Sequence, residues 1–171
     1  MVSTRWHTCS PDRRAILPQV TEGLRTVVVA FGALAAGFTW LSFHTAAIPV
    51  SSADRLVSEL RLAQMGAILL AMSAGADIGL AVAHESTQGV GLDVALAIGF
   101  FIAAAATLVR EPRQALTILA LAFALHAVFD VAHRPGWVLP EGIAPGWFLV
   151  GCALFDVFIG GLCYFPILRR S

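Results

Sequence analysis

The sequence predicts an all-α membrane protein, a single bundle of five transmembrane helices, and three observations support this. The 171-residue chain is 58% hydrophobic and 13% charged. A soluble domain carries about 25% charged residues, roughly twice as many. Apolar runs of about 20 residues recur along the chain, and this is the length that crosses the hydrocarbon core of a bilayer. The polar segments between the runs are short, so consecutive helices lie side by side in one bundle without a second domain.

The net charge limits the classes of partner that the chain can bind, and the cysteine spacing limits its disulfides. The formal net charge is zero, so the chain has no basic footprint for nucleic acid, and we expect the lipid bilayer as its partner. A homo-oligomer or a larger membrane complex is an open alternative. The three cysteines form no C-x-x-C pair. Cys152 and Cys163 lie in one apolar run, about 16 Å apart on a helix, which is too far for a disulfide.

The N-terminal segment differs from the rest of the chain. Residues 1–22 are polar and lack apolar periodicity, which predicts a flexible or surface-lying tail before a bundle formed by residues 23–171. The first span follows at about 24–43. It is longer than a signal-peptide core and has no small-residue cleavage site after it, so we expect it to be retained. Gly32 and Gly37 predict a small-residue face for close packing.

The second and third spans are joined by a short polar turn. Ser51, Ser52 and Asp54 predict a helix start, with the apolar span at about 62–84. The first turns of this helix carry charges that are typical of a helix entering from the membrane interface, namely Asp54, Arg55, Glu59 and Arg61. The third span is predicted at about 90–109.

The fourth and fifth spans complete the bundle. Pro112 ends the preceding helix, and the fourth span follows at about 114–133. A loop rich in proline and glycine then leads to the fifth span at about 147–168. Trp137 and Trp147 flank this loop, as interfacial aromatic residues do.

Ionisable residues inside the apolar spans are the strongest functional signal. His126, Asp130 and His133 are spaced i, i+4 and i+7, so they share one helix face. Burying one such group costs about 2.5–3.5 kcal/mol on insertion scales, so this face must have partners or water. Asp77 lies in the second span and Asp156 in the fifth.

The connectivity predicts that these residues meet. The turn after the second span and the loop after the fourth span lie on the same side of the membrane. Asp77, His126, Asp130 and Asp156 therefore fall in the same half of the bilayer. The arginine count slightly favours a cytoplasmic C-terminus in a bacterial inner membrane, with the polar residues in the outer half. Six arginines near span ends lie on the C-terminal side and five on the other.

Histidine and aspartate on one face are suitable ligands for Zn²⁺ or another first-row divalent ion. We predict that His126, Asp130 and Asp156 bind such a metal, and that Asp77 or His133 acts as a general base. A metal ion makes hydroxide available from bound water near neutral pH. The resulting hypothesis is a metal-dependent membrane enzyme acting on a lipidic or small amphipathic substrate.

Two other classes of function use the same residues. A small transporter or ion-conducting subunit would need polar groups that continue to the opposite membrane face. A non-catalytic subunit would use the buried His and Asp side chains for assembly only, with every acid paired. Some of the polar residues also have ordinary structural roles: His84 and His133 suit helix ends, and Asp93 suits a helix N-terminus.

The segment His-Ala-x-x-Asp-x-x-His at 126–133, followed by a proline-rich loop and by Phe155-Asp156, resembles a group of small bacterial integral-membrane proteins. The resemblance covers about residues 120–160 and implies a membrane fold without implying an activity. The His-x3-Asp pair is also similar to that of cation diffusion facilitators, which have six spans and a cytoplasmic domain. The set Ser73, Asp77, His126 and His133 is similar to that of alkaline ceramidase-like hydrolases, which have seven spans.

Overall fold

The structure, a computed structural model, describes residues 13–83, 90–133 and 146–169, with side chains at 25–82, 91–133 and 146–169. These residues form five α-helices without any β-strand, which confirms the predicted all-α, five-helix architecture. The helices are α1 (Arg13–Ala47), α2 (Ala53–Ala83), α3 (Val90–Thr107), α4 (Pro112–Ala132) and α5 (Gly146–Leu168).

Four of the helices are long and apolar enough to cross a membrane. Their candidate spans are Arg25–Ala47, Ala53–Val82, Pro112–Ala132 and Gly146–Leu168. The apolar part of α3, Gly91–Thr107, is shorter. Its 17 residues extend about 26 Å at 1.5 Å per residue, slightly less than the usual hydrocarbon thickness of about 30 Å.

The first helix begins earlier in the chain than the sequence predicted. The helix α1 begins at Arg13, within the segment for which a tail was predicted, and residues 1–12 lie outside the described part of the chain. The chain divides into two units, Met1–Leu34 and Ala35–Ser171. His84 and the loop residues 134–145 also lie outside the described residues, so the roles predicted for His84 and Trp137 stay predictions.

The helix α4 is central to the second unit, because it contacts α2, α3 and α5. Leu116, Leu119 and Phe123 on α4 are completely buried. The same stripe continues with His126 and Asp130 at helical spacing. The face that forms the apolar core therefore leads directly into the polar residues.

Close packing between α4 and α5 depends on a glycine. A Cβ atom added at Gly160 would lie 3.2 Å from the carbonyl oxygen of Ala120 and 3.2 Å from the Cβ atom of Phe123. A larger residue would therefore push α5 away from α4. Gly37, where the sequence predicted close packing, is exposed, and its Cβ position has no described atom within 4 Å. Among the described glycines, the close contacts are at Gly160 on α5 and at Gly66 on α2, whose Cβ position lies 3.1 Å from a side-chain carbon of Leu119.

A proline in α5 explains how the end of α1 is attached. Pro166 has no N–H group, so the carbonyl oxygen of Leu162 lacks its usual intrahelical donor. The buried hydroxyl of Ser42 on α1 donates a hydrogen bond to this oxygen at 2.7 Å. A serine side chain from a neighbouring helix thus satisfies the group that the proline leaves free, as membrane helices require.

A second buried polar group lies at the opposite end of α2 from Asp77. Arg55 and Glu59 are 2% and 1% exposed, and their side chains form a salt bridge with an Nε–Oε1 distance of 2.7 Å. The guanidinium of Arg55 also donates to backbone carbonyl oxygens at two helix ends: those of Thr45 and Ile48 at the end of α1, and that of Pro166 near the end of α5. A cation suits this position, because helix C-termini carry partial negative charge.

Candidate functional site: the His126 cluster

Four ionisable side chains from three helices meet in the bundle and form what we call the His126 cluster. Asp77 comes from α2, His126 and Asp130 come from α4, and Asp156 comes from α5. The side chains of His126, Asp130 and Asp156 are at most 3% exposed, whereas the side chain of Asp77 is 22% exposed. The cluster is thus enclosed on most sides and accessible on the side of Asp77.

The imidazole of His126 lies between two carboxylates. Its Nδ1 atom is 2.6 Å from Oδ2 of Asp156, and its Nε2 atom is 2.9 Å from Oδ2 of Asp77. Both distances are those of hydrogen bonds, and the shorter one is typical of a charge-assisted bond. The ring is therefore fixed at both nitrogens by acids on different helices.

These contacts limit where protons can be. An ionised carboxylate only accepts hydrogen bonds, and a neutral imidazole carries one N–H donor. Two bonds from His126 to ionised acids therefore require an imidazolium with a proton on each nitrogen. The other arrangement is a neutral imidazole with one of the two acids protonated. A cation bound at Nε2 would replace one of these protons, because a ligating histidine is neutral.

Asp130 adds a third acid to the cluster. Its Oδ2 atom is buried, has no hydrogen-bond partner among the described residues, and lies 3.9 Å from Nδ1 of His126. Asp77, His126 and Asp130 each offer one ligand atom, and these atoms lie within 4.8 Å of one another, a group that could hold a metal ion. Three acids face one histidine, so the ionised cluster stays negative even when the imidazole is charged.

Aromatic rings cover the cluster on the side of α3 and α4. The ring of Phe100 meets the imidazole of His126 edge to face, with centroids 4.7 Å apart. The ring of Phe129 lies 6.1 Å from both of these rings. This apolar cover lowers the local dielectric constant, which strengthens the interactions of the charged groups beneath it.

His133 belongs to a separate pair. Its Nε2 atom lies 2.8 Å from Oδ1 of Asp93 on α3, and its Nδ1 atom lies 2.9 Å from the carbonyl oxygen of Phe129. A carbonyl oxygen only accepts, so Nδ1 donates the bond to Phe129, and a proton on Nε2 or on Asp93 completes the second bond. This pair connects α3 to the end of α4.

The structure brings together four of the five residues singled out from the sequence: Asp77, His126, Asp130 and Asp156. The fifth, His133, pairs with Asp93, for which the sequence analysis favoured a helix-terminal role. The catalytic and metal-binding roles that we assigned to these residues stay predictions.

The Arg55–Glu59 pair was not anticipated. The charges at the start of α2 suggested an interfacial helix end, yet both side chains are buried. A periodicity signal was present, since Arg55, Glu59 and Leu62 lie on the same helical stripe that leads through Gly66 and Leu70 towards Asp77.

Comparisons of the chain with protein families, with curated proteins and with solved structures found no match.

Proposed function

We propose that the protein is a metal-dependent membrane enzyme in which Asp77, His126 and Asp130 bind a divalent first-row ion. The observation that carries this proposal is that the two ring nitrogens of His126 contact two different carboxylates. Its Nδ1 atom is held by Asp156, while its Nε2 atom faces the carboxylate of Asp77. Metal-binding histidines characteristically bond a carboxylate or carbonyl through the nitrogen that does not bind the ion. This proposal differs from the sequence-based prediction: Asp77 takes the ligand position that was given to Asp156, and Asp156 orients the imidazole.

The donor set fits such an ion. Imidazole and carboxylate are common ligands of zinc and of other first-row divalent ions. Ligand atoms around a tetrahedral zinc ion, with bonds of about 2.0–2.2 Å, lie about 3.3–3.6 Å apart. The Nε2 atom of His126 and the Oδ2 atom of Asp77 are 2.9 Å apart, a hydrogen-bond distance, so these two atoms would separate by about 0.4–0.7 Å to hold the ion between them. Asp130 offers a third donor: its Oδ2 atom has no hydrogen-bond partner among the described residues and lies 3.9 Å from Nδ1 of His126, and ligand atoms of Asp77, His126 and Asp130 lie within 4.8 Å of one another.

Electrostatics in the membrane also favour a cation. A group of three acids and one histidine retains negative charge, and uncompensated charge is costly in hydrocarbon. A divalent ion offsets this charge without requiring the acids to be protonated. When bound, it would polarise a substrate carbonyl or supply hydroxide from water for hydrolysis. The partial exposure of Asp77 supports access for a lipidic or small amphipathic substrate.

A transporter is less well supported, because an apolar segment separates the two buried polar groups of α2. Glu59 and Asp77 are 18 positions apart, about 27 Å along the helix. The buried face between them is apolar and consists of Leu62, Ala63, Gly66, Ala67, Leu69, Leu70 and Ala74. A pathway for ions needs polar groups or water through this region, and this face of α2 offers none.

Elemental analysis of the detergent-purified protein tests the metal site directly. We expect about one divalent ion per chain in the wild type and none in His126→Gln or Asp130→Asn. His44→Gln is a matched control, because His44 lies on α1, outside the cluster, where it is exposed and stacks on Trp40 of the same helix. The control should retain the ion. If the wild type binds no Zn²⁺, Mn²⁺ or Co²⁺ while all variants remain folded, the metal proposal is wrong and proton handling by the same residues becomes the better explanation.

A second measurement tests the enzymatic part of the proposal. The metal-loaded protein in mixed-lipid bilayers should release hydrolysis products that are detectable by mass spectrometry. A chelator and His126→Gln should each abolish this release, whereas His44→Gln should not. A protein that binds metal in the first experiment but converts no ester or amide lipid would retain the metal site and lose the proposed hydrolytic role.

A further inference from the structure

A groove at the opposite end of the bundle has a basic rim and an apolar wall. It has a volume of about 390 Å³ and lies where the first turns of α4 approach the end of α5. Its lining residues are Arg110, Arg113, Gln114, Thr117, Ile118 and Ile167. The α3–α4 turn and the end of α5 lie on the same side of the membrane, so the groove is at a membrane interface.

The polar half of the groove is suited to an anion. Arg110 and Arg113 are exposed, and neither forms a salt bridge with a described residue. The amide of Gln114 adds a neutral donor. All three residues come from the short segment around the start of α4, so their donors converge on one opening.

The backbone at this position adds further donors. Pro112 occupies the first turn of α4, and the N-cap residue Glu111 makes no side-chain capping bond. The N–H of Ala115 donates the first helical hydrogen bond of α4 to the carbonyl oxygen of Glu111, at 2.9 Å. The N–H groups of Arg113 and Gln114 therefore precede the helical bonding pattern and carry the positive end of the helix dipole.

The remaining wall of the groove is apolar and follows the spanning helices into the bilayer. Ile118 is one turn deeper on α4 than Gln114, and Ile167 lies near the end of α5. The hydroxyl of Thr117 donates to the carbonyl of Arg113 at 2.9 Å, so it presents its methyl group and not a free donor. A soluble anion would leave this apolar surface uncovered, whereas an acyl chain would cover it.

We propose that this groove binds an anionic phospholipid, with its phosphate between Arg110 and Arg113 and the start of an acyl chain against Ile118 and Ile167. Basic pockets between membrane helices are suited to anionic headgroups, and the bilayer supplies the ligand at this depth. The site is separate from the His126 cluster and does not depend on the function proposed for that cluster.

Native mass spectrometry of the detergent-purified protein tests the proposal, with phosphatidylglycerol and phosphatidylcholine of identical acyl chains as probes. We expect the wild type to bind phosphatidylglycerol more tightly. Each arginine near an anionic lipid contributes a factor of roughly 5 in affinity, so Arg110→Gln/Arg113→Gln should weaken binding of phosphatidylglycerol roughly 30-fold. Arg61→Gln removes an exposed arginine on the same membrane side, outside the groove, and should leave binding unchanged.

Four results would overturn the proposal. The first is equal binding of the two lipids by the wild type. The second is unchanged binding of phosphatidylglycerol by a folded double variant. The third is an equal loss of binding in Arg61→Gln. The fourth is displacement of the lipid by an equal concentration of inorganic phosphate, which would identify a site for a soluble anion. If the double variant does not fold, the single variant Arg113→Gln should still show the roughly 5-fold loss, and a normal affinity would count against the site.

Discussion

Asp130 is the residue on which the metal proposal can be tested most sharply. Its Oδ2 atom is buried and lacks a hydrogen-bond partner among the described residues, although an unsatisfied buried polar group costs about 1–3 kcal/mol. Such a cost is common at functional sites, where a side chain is arranged for a ligand and not for the stability of the empty protein. Asp156, in contrast, is satisfied by His126.

Asp130→Asn should therefore have opposite effects on the protein without and with metal. Without metal, the free energy of unfolding should rise by about 1 kcal/mol, because a neutral amide costs less to bury than a carboxylate. With metal at a hundredfold excess over its Kd, the wild type should gain about 2.7 kcal/mol, and the variant should gain nothing. Thermal unfolding in detergent, with and without Zn²⁺, measures both effects.

Asp93→Asn provides the matched control for this experiment. Asp93 is also a carboxylate in contact with a histidine, but it pairs with His133 and lies outside the His126 cluster. Its variant should retain the full stabilisation by metal. An equal loss in both variants would show that the response to zinc does not arise from the His126 cluster.

The helix α5 contains a backbone carbonyl oxygen whose hydrogen-bond donor comes from a side chain of α1. Pro166 removes the N–H group that would bond the carbonyl of Leu162, and Ser42 of α1 supplies the replacement donor. The proline and the serine are far apart in sequence but form one unit in the fold. This pairing attaches the C-terminal half of α1 to α5, together with the contact of Phe43 and Phe165, whose ring centroids are 4.7 Å apart.

A double-mutant cycle tests this relation. Ser42→Ala should destabilise the protein by about 1–3 kcal/mol, because the carbonyl of Leu162 loses its donor. In a Pro166→Ala background the restored N–H group bonds that carbonyl, so the same serine substitution should cost at least about 0.5 kcal/mol less. Denaturant unfolding in detergent gives the four free energies that are needed.

Thr39→Ala is the control for the loss of a hydroxyl. Thr39 donates to the carbonyl of Ala35 within α1 at 2.6 Å, and that carbonyl retains its helical N–H donor. The control should therefore cost little in either background. Equal costs of Ser42→Ala with and without Pro166 would contradict the proposed replacement of the donor.

Among the described residues, the His126 cluster and the Arg55–Glu59 pair lie towards opposite ends of α2, with an apolar face between them. The His126 cluster joins α2, α4 and α5, whereas the Arg55–Glu59 pair joins α2 to the ends of α1 and α5. Arg55 has a structural role, because its hydrogen bonds to backbone carbonyl oxygens hold the ends of α1 and α5 against α2. In the His126 cluster, by contrast, the buried Oδ2 atom of Asp130 has no hydrogen-bond partner among the described residues, which supports a ligand at this site.

Arg55→Met should be strongly destabilising, because it leaves the buried Glu59 without its guanidinium partner and frees carbonyls at two helix ends. Breaking a buried ion pair from one side costs about 3–5 kcal/mol. The double variant Arg55→Met/Glu59→Met should be less destabilised than the single variant, since it also removes the buried acid. Thermal unfolding followed by circular dichroism measures both.

Arg61→Met separates this effect from a general loss of arginine. Arg61 lies two turns further along α2 than Asp54 and is exposed, so its substitution should change stability by no more than about 0.5 kcal/mol. An Arg55→Met variant as stable as Arg61→Met would show that the carbonyl contacts contribute little.

The membrane class, the number of helices and the residues of the His126 cluster could be read from the chain. Apolar length and helical spacing are local properties, and the connectivity predicted that the polar residues of α2, α4 and α5 fall in the same half of the bilayer. The contacts between particular side chains could not be predicted in this way, because they depend on the rotation of each helix about its axis and on its distance from its neighbours. His126 contacting both Asp77 and Asp156, and His133 contacting Asp93, are results of that packing. Burial of Arg55 follows from the same cause: the ends of α1 and α5 converge on it and present carbonyl oxygens that no pattern along the chain reveals.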